Sequence, residues 1–409
     1  MLMHFPVVIV GGGMVGATLA HALARMFPQK VALIEAAPFP ATPQVDAQPS
    51  FDARSTALAW GTRLLFEQLG LWDELNTYAT PIEHIHVSNQ GHFGFTRLHA
   101  QDEGVSALGY VVSNQHLGQT LFKHLKVAEE KQKLELIMPA KVVALSPNDK
   151  GTSLQVERND TTETITANLV IIADGGRSGL TEQLGIDVTE KHYNQSALIA
   201  NAALSKPHNN VAYERFTESG PMALLPLSGK HCALVWSLPE TMVDDIALMS
   251  EVDFASHLQQ NFGYRLGRFT KVGLRHIYPL TLRCSTEQVR PGLVVLGNAA
   301  HQLHPVAGQG FNLALRDALR LAEVIKEALA LGQPLYALKT LHHYVKRQEA
   351  DQQATIQWSD RLVRWFSSTT PTLSILRNLG LVGLDLCFPG KSLFTQHAMG
   401  MGLPAAKID

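Results

Sequence analysis

The residues with the clearest chemical meaning stand near the start of the chain, where the apolar segment Val7–Val10 runs directly into three glycines. They are Gly11, Gly13 and Gly16, in the spacing Gly-x-Gly-x-x-Gly. The first glycine of such a turn permits a tight bend, the second lets a pyrophosphate approach the backbone, and the third lets the following helix pack closely on the strand. Unpaired N–H groups at that helix N-terminus, which includes Val15, favour phosphate charge. The pattern predicts a cradle for a dinucleotide.

A carboxylate follows the second apolar segment. Val31–Ile34 ends in Glu35, roughly 20 residues beyond the glycines, where such folds place an acidic side chain on the hydroxyls of an adenosine ribose. This position favours FAD or NAD over NADP. The alternative is that Glu35 only ends a strand at the surface.

Two later apolar segments also end in turns. Leu169–Ala173 leads to Asp174 and Gly175, and Gly292–Leu296 leads to a glycine-rich stretch, Gly297–Asn312. Unbroken apolar composition is typical of buried parallel strands, and ligands bind at the carboxyl ends of such strands. We therefore expect a ligand at these turns, although an Asp-Gly pair is also a good turn without any ligand.

The elements that must position these turns alternate between strands and helices, which predicts an α/β fold with a Rossmann-like domain. A proline-rich loop follows the first β-α-β unit, and a helix is predicted from Phe51 to Leu69, before Gly70. Residues 195–283 contain several strand-like segments, such as Cys232–Trp236. These segments predict an antiparallel sheet with one apolar face, which we interpret as a substrate-binding unit.

The length of 409 residues exceeds what one small core requires, so two or three structural units are expected. The predicted units are a discontinuous nucleotide-binding domain of residues 1–75, 107–185 and 284–334, an inserted α+β substrate-binding domain of residues 76–106 and 186–283, and a C-terminal helical segment of residues 335–409.

Composition narrows the class of protein. With a formal net charge of −2, the chain has no strong positive field that would attract nucleic acid, so nucleic acid is not expected as a partner. Cys232, Cys284 and Cys387 are far apart and form neither a redox pair nor a metal-ligand pattern. His301 and His304 have helical spacing but no third ligand, so no metal site is expected. Without a signal peptide pattern or a long apolar run, the sequence predicts a cytoplasmic protein.

The three turns together, in this order, resemble the group A FAD-dependent aromatic hydroxylases, which have the fold of para-hydroxybenzoate hydroxylase. The segments Phe51–Ala59, Tyr213–Leu227 and Ala398–Gly400 more narrowly resemble the ubiquinone-biosynthesis hydroxylases. Most of that family has Gly-Asp at the third turn, whereas this chain has Gly297 and Asn298, which is similar to the 2-polyprenyl-6-methoxyphenol hydroxylase branch. The resemblance implies a glutathione-reductase-like FAD fold and covers nearly the whole chain.

The resemblance also implies a set of cofactor-binding residues. Arg54 would lie near the FAD phosphates and ribose, and Asn114 near the ribityl or phosphate region. Asn298 would hydrogen-bond the ribityl chain, and Pro305 would lie over the flavin. The implied FAD-binding residues are Gly11, Gly13, Val15, Gly16, Glu35, Arg54, Asn114, Asp174, Gly175, Asn298, Pro305, Gly308, Gln309, Gly310 and Asn312. For Arg54 the alternative is a surface ion pair.

The implied reaction is hydroxylation of a prenylated phenol by O2 through a flavin C4a-hydroperoxide, with NAD(P)H as reductant. Such chemistry needs a dry pocket, for which we expect Phe216, Leu225, Pro226 and Trp236. The alternative for each of these four residues is that it belongs to the hydrophobic core and does not contact substrate. A general base cannot be named from the sequence; His304 is only a guess from its position beside Pro305.

Three other functions stay open. The chain could hydroxylate another aromatic substrate, or it could be an FAD dehydrogenase or oxidase that inserts no oxygen. It could also be a flavin-binding subunit that assembles a quinone-biosynthesis complex. A lipid-soluble substrate would favour weak peripheral contact with the inner face of a membrane and association with other quinone-biosynthesis proteins.

Overall fold

The chain begins with a strand, a helix and a second strand, in the order that the glycine pattern predicts. The structure is a computed structural model. It describes residues 3–39, 54–303, 308–367, 380, 382–383, 385, 387–402 and 404–408.

Strands and helices alternate through the first half of the chain, and helices dominate its end. The strands are β1 Met3–Val10, β2 Val31–Ile34, β3 Ser55–Ala59, β4 Thr80–Ile82, β5 His84–Asn89, β6 Phe95–His99, β7 Gly109–Ser113, β8 Leu134–Ile137, β9 Lys141–Asn148, β10 Gly151–Arg158, β11 Thr161–Ile172, β12 Val188–Leu204, β13 Val211–Thr217, β14 Gly220–Leu227, β15 His231–Pro239, β16 Phe269–Val272, β17 His276–Ser285, β18 Val289–Arg290, β19 Leu293–Val295 and β20 His301–Gln302. The helices are α1 Met14–Met26, α2 Trp60–Gln68, α3 Trp72–Asn76, α4 Asn114–Glu130, α5 Leu180–Gln183, α6 Glu240–Leu248, α7 Glu251–Phe262, α8 Gln309–Ala330, α9 Leu338–Ser367 and α10 Phe388–Ala398.

The first sheet carries the glycine turn. Its parallel strands lie in the order β19, β11, β1, β2 and β8. Val7 and Ile9 of β1 belong to the core that the sheet shares with α1, α4 and α8, whereas Val8 and Val10 belong to the core on the opposite face, with β9 and β10. Burial on both faces explains why these strands are continuously apolar. The carboxyl ends of β1, β11 and β19 are adjacent, so the three turns meet at one edge.

The second sheet has the order β20, β17, β12, β15, β14, β13, β5 and β6, with β16 beside β12. All of its pairings are antiparallel except that of β13 with β5. One face is covered by α6 and α7, and Leu234, Trp236 and Phe254 lie in that core. Because side chains alternate along a strand, neighbours such as Val235 and Leu225 point to the other face.

A third, small sheet pairs β3 with β7 and β7 with β4. The predicted helix from Phe51 is wrong over Ser55–Ala59, which forms β3, and α2 begins only at Trp60; residues 51–53 lie outside the described residues. The alanines and leucine of this segment favour a helix locally. Pairing from Ser55 with Ser113 through Ala59 with Gly109 overrides that preference.

The C-terminal helices attach to the first sheet. α8 and α9 are joined by a bidentate ion pair, in which Arg316 donates to the Asp351 carboxylate at 2.7 and 3.0 Å. The turn after α10 contacts α2, since the Gly61 N–H donates to the Met399 carbonyl at 2.8 Å. None of the described helices is long and apolar enough to cross a bilayer. The limits predicted for the domains stay a prediction.

Candidate active site

A cavity of about 1270 Å³ extends from the turns of the first sheet to the free face of the second. Small-molecule sites usually occupy about 300–1,000 Å³. The larger volume leaves room for two ligands side by side. The two ends of the cavity differ in character: turns and helix N-termini form one end, and apolar side chains form the other.

The glycine turn leaves no space for side chains. A Cβ atom at Gly16 would lie 1.9 Å from the Gly11 carbonyl oxygen, and one at Gly11 would lie 2.6 Å from the Ala173 carbonyl oxygen. Gly11 has a φ of +104°, which side chains rarely permit. Gly13 precedes the first residue of α1 and offers no side-chain cap, so the first N–H groups of that helix are available to an anion. This geometry fits a pyrophosphate.

The Glu35 carboxylate is fixed beside this turn. One oxygen accepts from the Gly12 N–H at 2.5 Å, and the other accepts from the Ala37 N–H at 2.7 Å. Each oxygen keeps a lone pair, and the side chain lines the cavity. The carboxylate can therefore accept from two ribose hydroxyls, as an FAD site requires.

The turn after β11 is held by its own aspartate. The Asp174 carboxylate accepts from the Gly176 N–H at 2.9 Å, from the Ser178 N–H at 3.2 Å and from the Ser178 hydroxyl. Gly175 and Gly176 both have a φ of +73°. Asp174, Gly175 and Ser178 line the cavity. Arg177 lines it too, although no sequence motif indicated this residue.

The N-terminus of α8 forms a further part of the wall. Gly308, Gln309 and Gly310 line the cavity, and Gly308 has a left-handed φ of +61°. The Gln309 side chain donates to the Ala398 carbonyl at 3.1 Å, which connects this wall to the end of α10. Val15 and Asn298 also line the cavity. Pro305 and His304 lie outside the described residues.

Asn312 does not line the cavity and is only 1% exposed. Its amide oxygen accepts from the Ala59 N–H at 2.9 Å and the Thr62 hydroxyl at 2.7 Å. Its amide nitrogen donates to the carbonyls of Ala57 at 3.0 Å and Gly308 at 2.8 Å. The side chain therefore joins β3, α2 and α8. Its predicted contact with FAD is corrected to a role in holding the wall.

Arg54 and Asn114 also lie outside the cavity lining. The Arg54 guanidinium is over the Tyr278 ring at 4.8 Å. The buried Asn114 side chain accepts from the Thr56 hydroxyl at 2.6 Å, and Thr56 itself lines the cavity. Asn114 thus supports a wall segment, and direct contact with FAD stays a prediction for both residues.

The apolar end of the cavity is the free face of the second sheet. Phe216 and Leu225 line it, whereas Pro226 and Trp236 do not line the cavity; contact of Phe216 and Leu225 with the substrate stays a prediction. Trp236 belongs to the core with α6 and α7, because it is one residue out of phase with Val235 on β15. The assignment of Pro226 and Trp236 to the substrate pocket is therefore corrected. Uncharged side chains on the cavity face include Ile85, Val87, Thr96, Leu98, Ile199, Ala212, Phe216, Ala223, Leu225 and Val235.

One ionisable residue on this face is not among the predicted site residues. Glu214 of β13 lines the cavity, and burial raises the pKa of its carboxyl to about 7. Its side chain is half-buried, because the hollow interior still reaches it. The strand alternation Ala212, Glu214, Phe216 was available as a signal in the sequence.

Two buried titratable groups lie behind the wall. Asp317 accepts from the Tyr344 hydroxyl at 2.5 Å and from the Gln352 amide at 3.1 Å, and burial raises its pKa to about 7. Gln352 also accepts a hydrogen bond from the Gln288 amide nitrogen, which lies 3.0 Å from His301 Nε2. Burial lowers the pKa of His301 to about 4, so its ring is neutral. Among the described residues, no three His, Cys, Asp or Glu side chains lie together as a metal site.

The cavity continues to the surface between α9 and α10. Trp358, Phe394 and His397 line both the cavity and an adjoining hollow of about 380 Å³. The rings of Trp358 and Phe394 are in edge contact, with centroids 5.3 Å apart. An elongated apolar ligand could therefore extend from the sheet to the protein surface.

Comparisons with known proteins agree with this geometry. Residues 4–358 match the FAD binding domain family. Ubiquinone hydroxylase UbiL of Rhodospirillum rubrum is 34% identical over 96% of this chain and 89% of its own length. The 3-demethoxyubiquinol 3-hydroxylase of Escherichia coli is 31% identical over 97% of this chain and 98% of its own. The crystal structure of p-nitrophenol 4-monooxygenase PnpA from Pseudomonas putida shares the fold, with a TM-score of 0.77, 16% identity and coverage of 98% and 99% of the two chains.

Proposed function

This chain belongs to the FAD binding domain family and is an FAD-dependent monooxygenase, and we propose that it hydroxylates a prenylated phenol of the 2-polyprenyl-6-methoxyphenol type in ubiquinone biosynthesis. The observation that carries the proposal is the two-ended cavity, in which the dinucleotide cradle opens onto the apolar face of the second sheet. A phenol ring can lie between them. Curated relatives named for ubiquinone hydroxylation support the choice of substrate class.

The residues of this chain would divide the work by position. Gly11, Gly13 and Gly16 receive the pyrophosphate, and Glu35 holds the adenosine ribose. We assign the flavin to the edge formed by the Asp174 turn and the α8 N-terminus, whose dipole favours negative charge on the ring. When bound, FAD supplies the activation of O2. NADH or NADPH is the proposed reductant.

The apolar sheet face would hold the phenol and exclude water. Water competes with oxygen transfer, so a dry pocket raises the fraction of reductant that yields hydroxylated product. The passage beside Trp358 and Phe394 would hold the prenyl tail, so that the phenol ring lies beside the flavin. A substrate with a short tail would then bind less tightly, by up to about 0.8 kcal/mol for each buried CH₂ that is missing.

The deciding experiment is a mass-spectrometric profile of prenylated phenols and quinones in aerobic cells without this protein, compared with cells that carry it. We expect a prenylphenol that lacks one oxygen to accumulate and to disappear on complementation. An unchanged quinone profile would contradict the proposed substrate. Complementation by a variant that binds no FAD would instead favour an assembly subunit. If the phenol itself reduces the FAD of the purified protein, and no ¹⁸O from ¹⁸O₂ enters the product, the protein would be a dehydrogenase or oxidase.

We also propose weak peripheral contact with a membrane and with other quinone-biosynthesis proteins. Leu248, Val252 and Leu274 are 83%, 75% and 83% exposed. The segments that carry them are joined, because Arg275 donates to the Met249 carbonyl at 2.6 Å. Co-flotation with liposomes tests the membrane contact: the triple substitution of these three residues by serine should reduce it, and absence from the lipid fraction with and without substrate would contradict it.

A further inference from the structure

We propose that Glu214 is the catalytic base that accepts the phenolic proton during ring hydroxylation. This inference rests on the proposed function, since it requires a phenol on the free face of the second sheet. It names a residue for a proton transfer that the sequence analysis could assign to no group.

The backbone places this carboxyl where a phenol would lie. Glu214 is paired with Val87 of β5 and Ala223 of β14, and all three side chains line the cavity. The residues two positions away on its own strand, Ala212 and Phe216, line it too. Tyr213 borders the cavity, but its ring packs on Phe262 behind the sheet, with centroids 5.3 Å apart. Glu214 is thus the one ionisable side chain that the described part of this face directs into the cavity.

The carboxyl also lacks competing partners. Within the described residues it forms no hydrogen bond or ion pair, unlike Glu35 and Asp174, whose oxygens accept from backbone N–H groups. The side chain is half-buried beside apolar side chains, where a carboxylate has fewer hydrogen-bond donors than at the protein surface. A phenol hydroxyl would supply the missing donor.

No charged group around the cavity contributes to the pKa of the Glu214 carboxyl. Desolvation alone raises its pKa. Apart from Tyr213, whose ring packs behind the sheet, the other ionisable residues that line the cavity lie at its ends: Glu35, Lys141, Asp174 and Arg177 at the cradle, and Arg361 and His397 at the passage between α9 and α10. A base with a pKa of about 7 is poised for proton transfer near neutral pH.

The proton and electron balance is simple. As the ring carbon bonds to one oxygen atom that comes from O2, the O–O bond breaks, and the second oxygen atom takes up protons and leaves as water. At the same time the phenolic O–H bond breaks and its electron pair enters the ring system, which becomes a dienone. The proton passes to a Glu214 oxygen. Loss of the proton on the hydroxylated carbon then restores the aromatic ring, and Glu214 returns its proton to water. The two-electron oxidation of the ring is balanced by O2 and the reductant of the proposed reaction.

The test compares E214Q and E214D with E218Q, a control at an exposed glutamate of the same hairpin. In wild type, kcat/KM for the prenylphenol should rise with pH through about 7, because the carboxylate is the active form. E214Q should lose about 10²–10⁴-fold and its profile should be flat there. E214D should recover part of the rate, and E218Q should match wild type.

A readout without turnover separates this role from a structural one. In the FAD-loaded protein without reductant, a phenol ligand should bind wild type more weakly as pH falls below about 7, whereas its methyl ether should show no such loss. E214Q should bind the phenol with no pH dependence. Wild-type rates, or a wild-type pH profile, in E214Q would overturn the inference and leave the proposed function intact. Failure of wild type to hydroxylate any prenylphenol would instead refute the proposed function.

Discussion

Alanine at Gly16 should disrupt FAD binding with little effect on the rest of the fold. The added Cβ would lie 1.9 Å from the Gly11 carbonyl oxygen and 3.1 Å from its carbon. Ordinary contact begins near 3.4 Å, so the two backbones must separate by about 1.5 Å (3.4 minus 1.9). Gly11 is itself confined, because a Cβ there would be 2.6 Å from the Ala173 oxygen. The first turn of α1 must therefore shift from the pyrophosphate.

The expected loss follows from the hydrogen bonds that such a shift breaks. Each hydrogen bond to a charged group contributes about 1.5–3 kcal/mol, so loss of one to two of them raises the Kd for FAD by about 10-fold to 10⁴-fold. Titration of the apoprotein with FAD, followed by flavin fluorescence, measures this change. Gly273→Ala is the matched control, because its Cβ would meet only the Asn201 oxygen at 3.5 Å. A Gly16→Ala protein that binds FAD within threefold of wild type would refute the reasoning.

Further substitutions test the walls of the cavity. Asn312→Ala should lower the free energy of unfolding of the apoprotein by about 2–4 kcal/mol, because buried groups such as the Ala59 N–H lose their partner; a change below about 0.5 kcal/mol in urea unfolding would contradict this role. Asp317→Asn should flatten the pH dependence of stability between 3.8 and about 7, since the raised pKa stabilises the fold at low pH and this contribution is lost as pH rises to 7; an unchanged slope in denaturant titrations would argue against it. Leu225→Ser should raise KM for a prenylphenol about tenfold with FAD affinity unchanged, whereas Trp236→Phe should alter the melting temperature and leave KM within about twofold; the reverse pattern in steady-state kinetics would reject the assignment of the two sheet faces.

The cofactor end of the site could be read from the sequence because steric rules act there over short distances. The glycine spacing and the position of Glu35 depend on one strand, one turn and one helix, so local sequence fixes them. The match of residues 4–358 to the FAD binding domain family confirms the predicted cofactor class.

The residues that line the substrate end could not be predicted reliably, because strand phase and long-range pairing decide which side chains face the cavity. The phase of β15 decides whether Val235 or Trp236 faces the cavity, and aromatic character alone favoured the wrong residue. The β3 segment resembled a helix until its pairing with β7 was known. Asn312 followed the family pattern, yet its four hydrogen bonds go to groups separated from it by up to 255 residues. Such long-range partners appear only in the folded chain.

The end of α10 gives the cavity wall a dependence on the order of synthesis. The Ala398 carbonyl accepts from Gln309, and the Met399 carbonyl accepts from the Gly61 N–H at 2.8 Å. During translation Gly61 and Gln309 are synthesised long before these two acceptors, whereas the glycine turn and its strand come from neighbouring residues near the start of the sequence. A chain shortened before Ala398 would therefore lose both bonds at the α8 end of the cavity before the pairing of β1 with β2 is affected.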